Sequence, residues 1–116
     1  MNTKNSLLAF TLVVASALVG QAEETLLVFT ASWCGPCQNF KKDLAADATL
    51  AGEYPVDNID IDVAPEVAAD FAVNGVPTFI LIDVNDKTLN PQKEIRRRVG
   101  YTGPQAFKAW LGRRRR

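Results

Sequence analysis

Apolar residues along this chain come in short runs, and the spacing within them changes from one run to the next. Thr25 to Thr30 is an apolar stretch of strand formers without polar alternation, the character of a central strand covered on both faces. From Cys37 the period becomes helical: Cys37, Phe40 and Leu44 recur at spacings of three and four and share a face. Gly52 to Pro55 punctuates. Val56 to Asp62 alternates, with Asp57, Ile59 and Ile61 on one side, and reads as a strand running into a loop. Pro65 opens a second helix, where proline is favoured at the first helical position. Val67 and Phe71 share one of its faces, and Asn74-Gly75 supplies its stop. Thr78 to Ile82 is a third strand, and Asp83 to Gln92 a turn-rich connection. Lys93 to Val99 is a fourth strand whose three arginines suit a sheet edge. Gly103-Pro104 starts a last helix that buries Phe107, Trp110 and Leu111. The order β-α-β-α-β-β-α predicts an α/β fold, a mixed sheet with helices on both faces.

The first 22 residues follow a different pattern. A short polar start carrying Lys4 precedes the uncharged apolar run Leu7 to Val19. Gly20-Gln21-Ala22 then offers small residues where a signal peptidase reads, and Glu23-Glu24 follows. This is the order of a cleavable secretory signal. The run falls short of the roughly 20 apolar residues that span a bilayer. An uncleaved membrane anchor or a first helix of the fold are the alternatives. Residues 1–22 are therefore expected to be a signal peptide and residues 23–116 one domain ending in a basic tail, 113–116. The protein is expected to be exported, periplasmic or secreted.

Charge changes the picture only locally. Residues 23–93 hold 4 basic and 12 acidic residues, and residues 94–116 hold 8 basic and 1 acidic. Such asymmetry biases association, not fold. Arg96 to Arg98 and Arg113 to Arg116 read as a solvated edge and tail, because arginines are mostly exposed. No basic face laced with aromatics points to nucleic acid. The chain has no histidine and two cysteines, too few Cys and His for the four ligands of a structural zinc site. No metal or other cofactor is called for. What two cysteines supply is one disulfide, structural or catalytic.

The chemistry lies in Trp33-Cys34-Gly35-Pro36-Cys37, at the junction of a strand and a helix. A spacing of three puts both sulfurs on one helix face, close enough to bridge. Cys34 at the helix start meets unpaired N–H groups and the positive end of the dipole. Both lower its thiol pKa, and the thiolate is the nucleophile. Cys37, one turn inside, resolves the mixed disulfide. Gly35 suits the tight turn, Pro36 the first helical position, and Trp33 covers one side. A bridge closing so small a loop constrains the unfolded chain little, so a purely structural disulfide is the weaker reading.

Ala31-Ser32-Trp33-Cys34-Gly35-Pro36-Cys37 resembles the active-site segment of the thioredoxins. Gly75-Val76-Pro77-Thr78 is similar to the loop whose proline is cis beside the cysteines in that family, and Val99-Gly100 to its glycine turn. The resemblance spans residues 25–112. It implies a thioredoxin-like fold, here pared down to a three-layer α/β/α domain around a mixed four-stranded sheet. Its implied activity is thiol–disulfide oxidoreduction on protein disulfides, with Cys34 and Cys37 catalytic. Trp33, Gly35 and Pro36 would support the site, while Val76, Pro77 and Gly100 line a substrate groove. An exported dithiol oxidase and a non-catalytic binding module are the competing functions. An exported reductant implies a membrane-bound dithiol electron donor, and the protein is expected to be a monomer.

Two departures stand out. With residues 1–22 read as a signal peptide, the family's amino-terminal strand and helix are expected to be absent ahead of Thr25. The family's buried aspartate, six residues before the first cysteine, is replaced by Val28. That aspartate is the family's proton acceptor for the second cysteine. Asp60 and Asp62 are conceivable substitutes, though solvated loop carboxylates are the simpler expectation.

Overall fold

A computed structural model describes residues 23–84 and 89–112. The signal-like segment 1–22 and the tail 113–116 lie outside the described residues, as does the middle of the connection between the third and fourth strands. The elements are β1 (Glu24–Thr30), α1 (Gly35–Ala46), β2 (Val56–Asp60), α2 (Pro65–Asp70), β3 (Thr78–Asp83), β4 (Glu94–Val99) and α3 (Pro104–Leu111). The sheet order is β2-β1-β3-β4. β1 and β2 run parallel, while β3 is antiparallel to both β1 and β4. The expected four-stranded mixed sheet is present, with β4 at an edge.

The central position of β1 explains its apolar run: with neighbours on both sides and helices on both faces, every side chain from Leu26 to Thr30 is buried. Leu26 and Val28 pack on one face with Phe40 of α1, Phe79 of β3 and Phe107 of α3. Leu27 and Phe29 pack on the other with Ile80, Ile82, Ala68 and Phe71. Rings tie the first layer together. Phe40 meets Phe79 edge-on at 4.8 Å, and Phe79 meets Phe107 at 4.7 Å. Such contacts add about 0.5–1.5 kcal/mol each beyond area burial.

Two expectations about this framework need correction. α2 stops at Asp70, not at Asn74-Gly75. Ala72 takes the left-handed conformation, φ +54°, and Val73 N–H reaches back to the Ala68 carbonyl at 2.9 Å. This is the six-to-one closure of a Schellman motif with alanine where glycine is usual. It turns the half-buried Val73 onto the core cluster of Phe29, Phe71 and Ile80. Second, Arg96 to Arg98 are half-buried rather than fully solvated, and two of them are tied down. Arg96 donates to the Leu111 carbonyl at 2.7 Å and lies over the Trp110 ring at 5.7 Å, so it caps the C-terminus of α3. Arg97 grips both carboxylate oxygens of Glu94 at 2.7 Å and donates to the Phe71 carbonyl at 2.8 Å. A planar guanidinium holds such several-point contacts where a solvated side chain would not.

Candidate active site

The two cysteines stand at the carboxyl end of β1, where the parallel β1–β2 pair opens outward, the usual location of sites in α/β sheets. The chain leaves β1 through Ala31, Ser32 and Trp33, and Cys34 N–H closes this turn on the Ala31 carbonyl at 3.2 Å. Gln38 clamps the same carbonyl from α1 through its side-chain amide at 3.1 Å. The loop bearing Cys34 is thereby held from both ends.

Cys34 is the N-cap of α1, and its Sγ accepts the Cys37 N–H at 3.1 Å. A donor aimed at this sulfur favours its anionic form, and the helix dipole adds to the effect. Pro36 sits at the second helical position rather than the first, still among the positions whose N–H has no partner within the helix. Cys34 and Cys37 form a disulfide, with Cα atoms 5.2 Å apart. In this form both are buried, Cys34 5% exposed and Cys37 2%, so exposure separates them little. The N-cap position distinguishes them.

Around the bridge pack Ala31, Ile61 and Val76. Val76 was expected. Ile61 was read only as the apolar side of a strand end; its place beside the sulfurs comes from the turn after β2, where Ile61 N–H bonds the Thr30 carbonyl at 3.0 Å. The Val76–Pro77 bond is cis. Thr78 Oγ1 donates to the Gly75 carbonyl at 2.6 Å, pinning that loop to the start of β3. Gly100 N–H donates to the Pro77 carbonyl at 2.8 Å. Gly100 has φ +91°, a conformation that L side chains rarely adopt, so its glycine identity follows from the backbone. Trp33 (66% exposed), Val63 (80%) and Val99 (65%) leave large apolar surfaces open.

Asp62 is the exposed loop carboxylate expected and Asp60 is half-buried, and both also make hydrogen bonds beside the site. Asp62 accepts the Trp33 indole N–H at 2.8 Å, and Asp60 accepts the Asp62 backbone N–H at 2.9 Å. Asp62 thus directs its carboxylate at Trp33 and orients that ring. Val28 is 1% exposed and packs with Phe40, three residues along α1 from Cys37; valine leaves this buried position without a proton acceptor.

Sequence reading also missed Tyr101. Its ring lies 5.4 Å from Phe40, and its hydroxyl donates to Asp43 Oδ2 at 2.5 Å. Burial and then the Asp43 contact hold its phenol far above the ordinary tyrosine range, so it remains a donor. A cleft of about 530 Å³ lies away from all this, beside Glu24 at the opposite end of β1, between Tyr54, Arg96 and Leu111. It contains neither cysteine. Among the described residues, no group of three or more His, Cys, Asp and Glu could hold a metal ion.

Comparison with known proteins agrees with this geometry. The thioredoxin family model matches residues 9–99, a range that includes part of the apolar run near the start. The thioredoxin of Chlamydia muridarum is 38% identical over 90 residues, covering 75% of this chain and 72% of that protein. Thioredoxin H2 of Arabidopsis thaliana is 34% identical over 83 residues, covering 71% of this chain; the match spans only 57% of that longer protein. The crystal structure of Fasciola hepatica thioredoxin superposes with a TM-score of 0.59 at 27% identity, covering 77% of this chain and 78% of that one.

Proposed function

This chain belongs to the thioredoxin family of thiol–disulfide oxidoreductases, and on that premise we propose that it reduces and exchanges disulfides of protein substrates outside the cytoplasm. The observation that carries the reading is the bridged Cys34–Cys37 pair at the start of α1, with the Cys34 sulfur accepting a backbone N–H. In the reduced protein the Cys34 thiolate attacks one sulfur of a substrate disulfide and releases the other as a thiolate. Cys37 then loses its proton and attacks the Cys34 sulfur. The Cys34–Cys37 bridge forms, the second substrate thiol leaves, and two electrons have passed to the substrate.

Trp33, Val76, Pro77 and Gly100 form the surface on which the substrate segment lies. The n-, h- and c-region order of residues 1–22 supports export, and an exported reductant draws its electrons from a membrane-bound dithiol. The Gly-Pro dipeptide between the cysteines favours the reducing direction over disulfide formation. The two ends of the scale lie roughly 150 mV apart, about 7 kcal/mol for two electrons.

Five measurements test the proposal. Insulin reduction tests activity, and its absence in a folded, reducible protein would favour a binding module. Equilibration with glutathione gives the potential, and a value near that of the strong periplasmic oxidases would reverse the assigned direction. N-terminal sequencing of exported material should begin at or near Glu23; a full-length, membrane-retained species would refute cleavage. A Cys37→Ser variant should trap substrate and donor as mixed disulfides, and gel filtration should show a monomer.

A further inference from the structure

The substrate groove has two walls from distant parts of the chain. One is the start of α1, carrying Cys34 and Cys37. The other is the loop Gly75–Pro77 together with Gly100. Reaction requires a substrate strand held along the second wall to present its sulfur to Cys34 on the first, so the spacing of the walls matters. Misplacement of reacting atoms by about 1 Å can cost two orders of magnitude in rate.

The segment that could set this spacing has no regular structure. Residues 100–103 join β4 to α3, with positive φ at Gly100 (+91°) and Gly103 (+123°). A chain bent at both ends takes its position from whatever anchors its middle. Here that anchor is Tyr101, 8% exposed. Its ring packs edge-on against Phe40 at 5.4 Å and Phe107 at 6.0 Å. Its hydroxyl binds Asp43. Phe40 and Asp43 lie three and six residues along α1 from Cys37, so Tyr101 grips the cysteine helix at two successive points on its length. The adjoining Gly100 N–H meanwhile grips the Pro77 carbonyl at 2.8 Å. One short stretch of backbone is therefore fastened to both walls.

We infer that Tyr101, through its hydrogen bond to Asp43, is a positioning residue that sets the Pro77–Gly100 wall against the Cys34 helix for extended protein substrates. The inference rests on the proposed reduction of protein disulfides. Ring burial alone would stabilise the fold without fixing the wall. The hydroxyl adds direction, because a hydrogen bond to a carboxylate is short and strong for its class.

The prediction is a selective loss. A small disulfide needs only the Cys34 thiolate, whereas a protein segment needs both walls. Reduced wild type, Tyr101→Phe, Asp43→Leu and Asp43→Asn would be mixed with insulin and with hydroxyethyl disulfide. Oxidation is followed by tryptophan fluorescence, and saturation with insulin separates KM from the limiting rate. Tyr101→Phe keeps the ring and hence the packing. In Tyr101→Phe and Asp43→Leu, the rate constant for insulin should fall about tenfold relative to that for the small disulfide, carried by KM, as expected for losing one hydrogen bond to a charged group. Asp43→Asn retains an acceptor for the phenol and should stay within about twofold of wild type. An unchanged ratio in Tyr101→Phe would overturn the inference, whether or not the melting temperature falls, because a purely structural role moves stability and not the ratio. Failure of wild type to reduce insulin would instead remove the functional reading on which it rests.

Discussion

Replacing Val28 with aspartate should lower stability and speed the resolving step together. Val28 is 1% exposed, pairs with Phe79 across β1 and β3, and packs in the layer that α1 covers. Fully burying a valine side chain contributes about 1.5–3 kcal/mol, and burying a poorly partnered polar group costs about 1–3 kcal/mol. The combined loss is about 3–5 kcal/mol, which a domain of ordinary stability, about 5–15 kcal/mol, survives. Desolvation raises the folded-state pKa of the new carboxyl above its unfolded value near 3.9. The variant is therefore least destabilised below about pH 4, and its deficit grows as pH rises toward that raised value. Near neutrality the carboxylate can take a proton from Cys37, one turn before Phe40 on the covering helix.

The assay is denaturant midpoint and insulin-reduction rate for wild type and Val28→Asp across pH 6 to 9. The expected result is a lower midpoint throughout and a rate about tenfold higher near pH 7, a modest general-base effect. The gap should close toward pH 9 as the thiol ionises unaided. A less stable variant that is no faster would show that position 28 does not serve Cys37. One equally stable would refute the burial cost itself.

Iodoacetamide should label Cys34 first in the reduced protein, because its sulfur is the N-cap acceptor and not because it is more exposed; mapping the adduct to Cys37 would reverse the two roles. The Asp47 carboxyl is held at about 2, below the usual 3.8, by the Thr49 hydroxyl, Lys108 and the Thr49 N–H. A depressed folded pKa means that its contribution is present above about pH 4 and lost as pH falls toward 2. The melting-temperature difference between wild type and Asp47→Asn should shrink over that window, and a constant difference would count against the assignment. Ala72→Gly should stabilise the protein by about 0.5–1 kcal/mol, since Ala72 holds φ +54°, where a Cβ is penalised more than the extra chain entropy of glycine costs. Chemical denaturation checks it, and a lower midpoint would show that the left-handed turn is not strained.

The element order, the doubly covered β1, the edge position of β4 and the dithiol at a helix start were all legible in the sequence. Each depends on residues close together in the chain: an apolar run, a period of three and four, a proline or glycine at a boundary, two cysteines three apart. Short-range sterics and amphipathicity decide such features whatever the rest of the fold does. Tertiary structure decided what the polar side chains do. Trp33 finds Asp62 across 29 residues, Arg97 finds the Phe71 carbonyl across 26, and Tyr101 finds Asp43 across 58. No local pattern distinguishes these partners from solvated neighbours of the same type. The left-handed Ala72 belongs with them, since glycine would have announced the turn and alanine does not. A hydrogen bond between distant residues exists only once the sheet and helices have brought donor and acceptor within about 3 Å in the right direction. The sequence alone therefore identified the reacting sulfurs, while only the folded structure revealed what holds the groove around them.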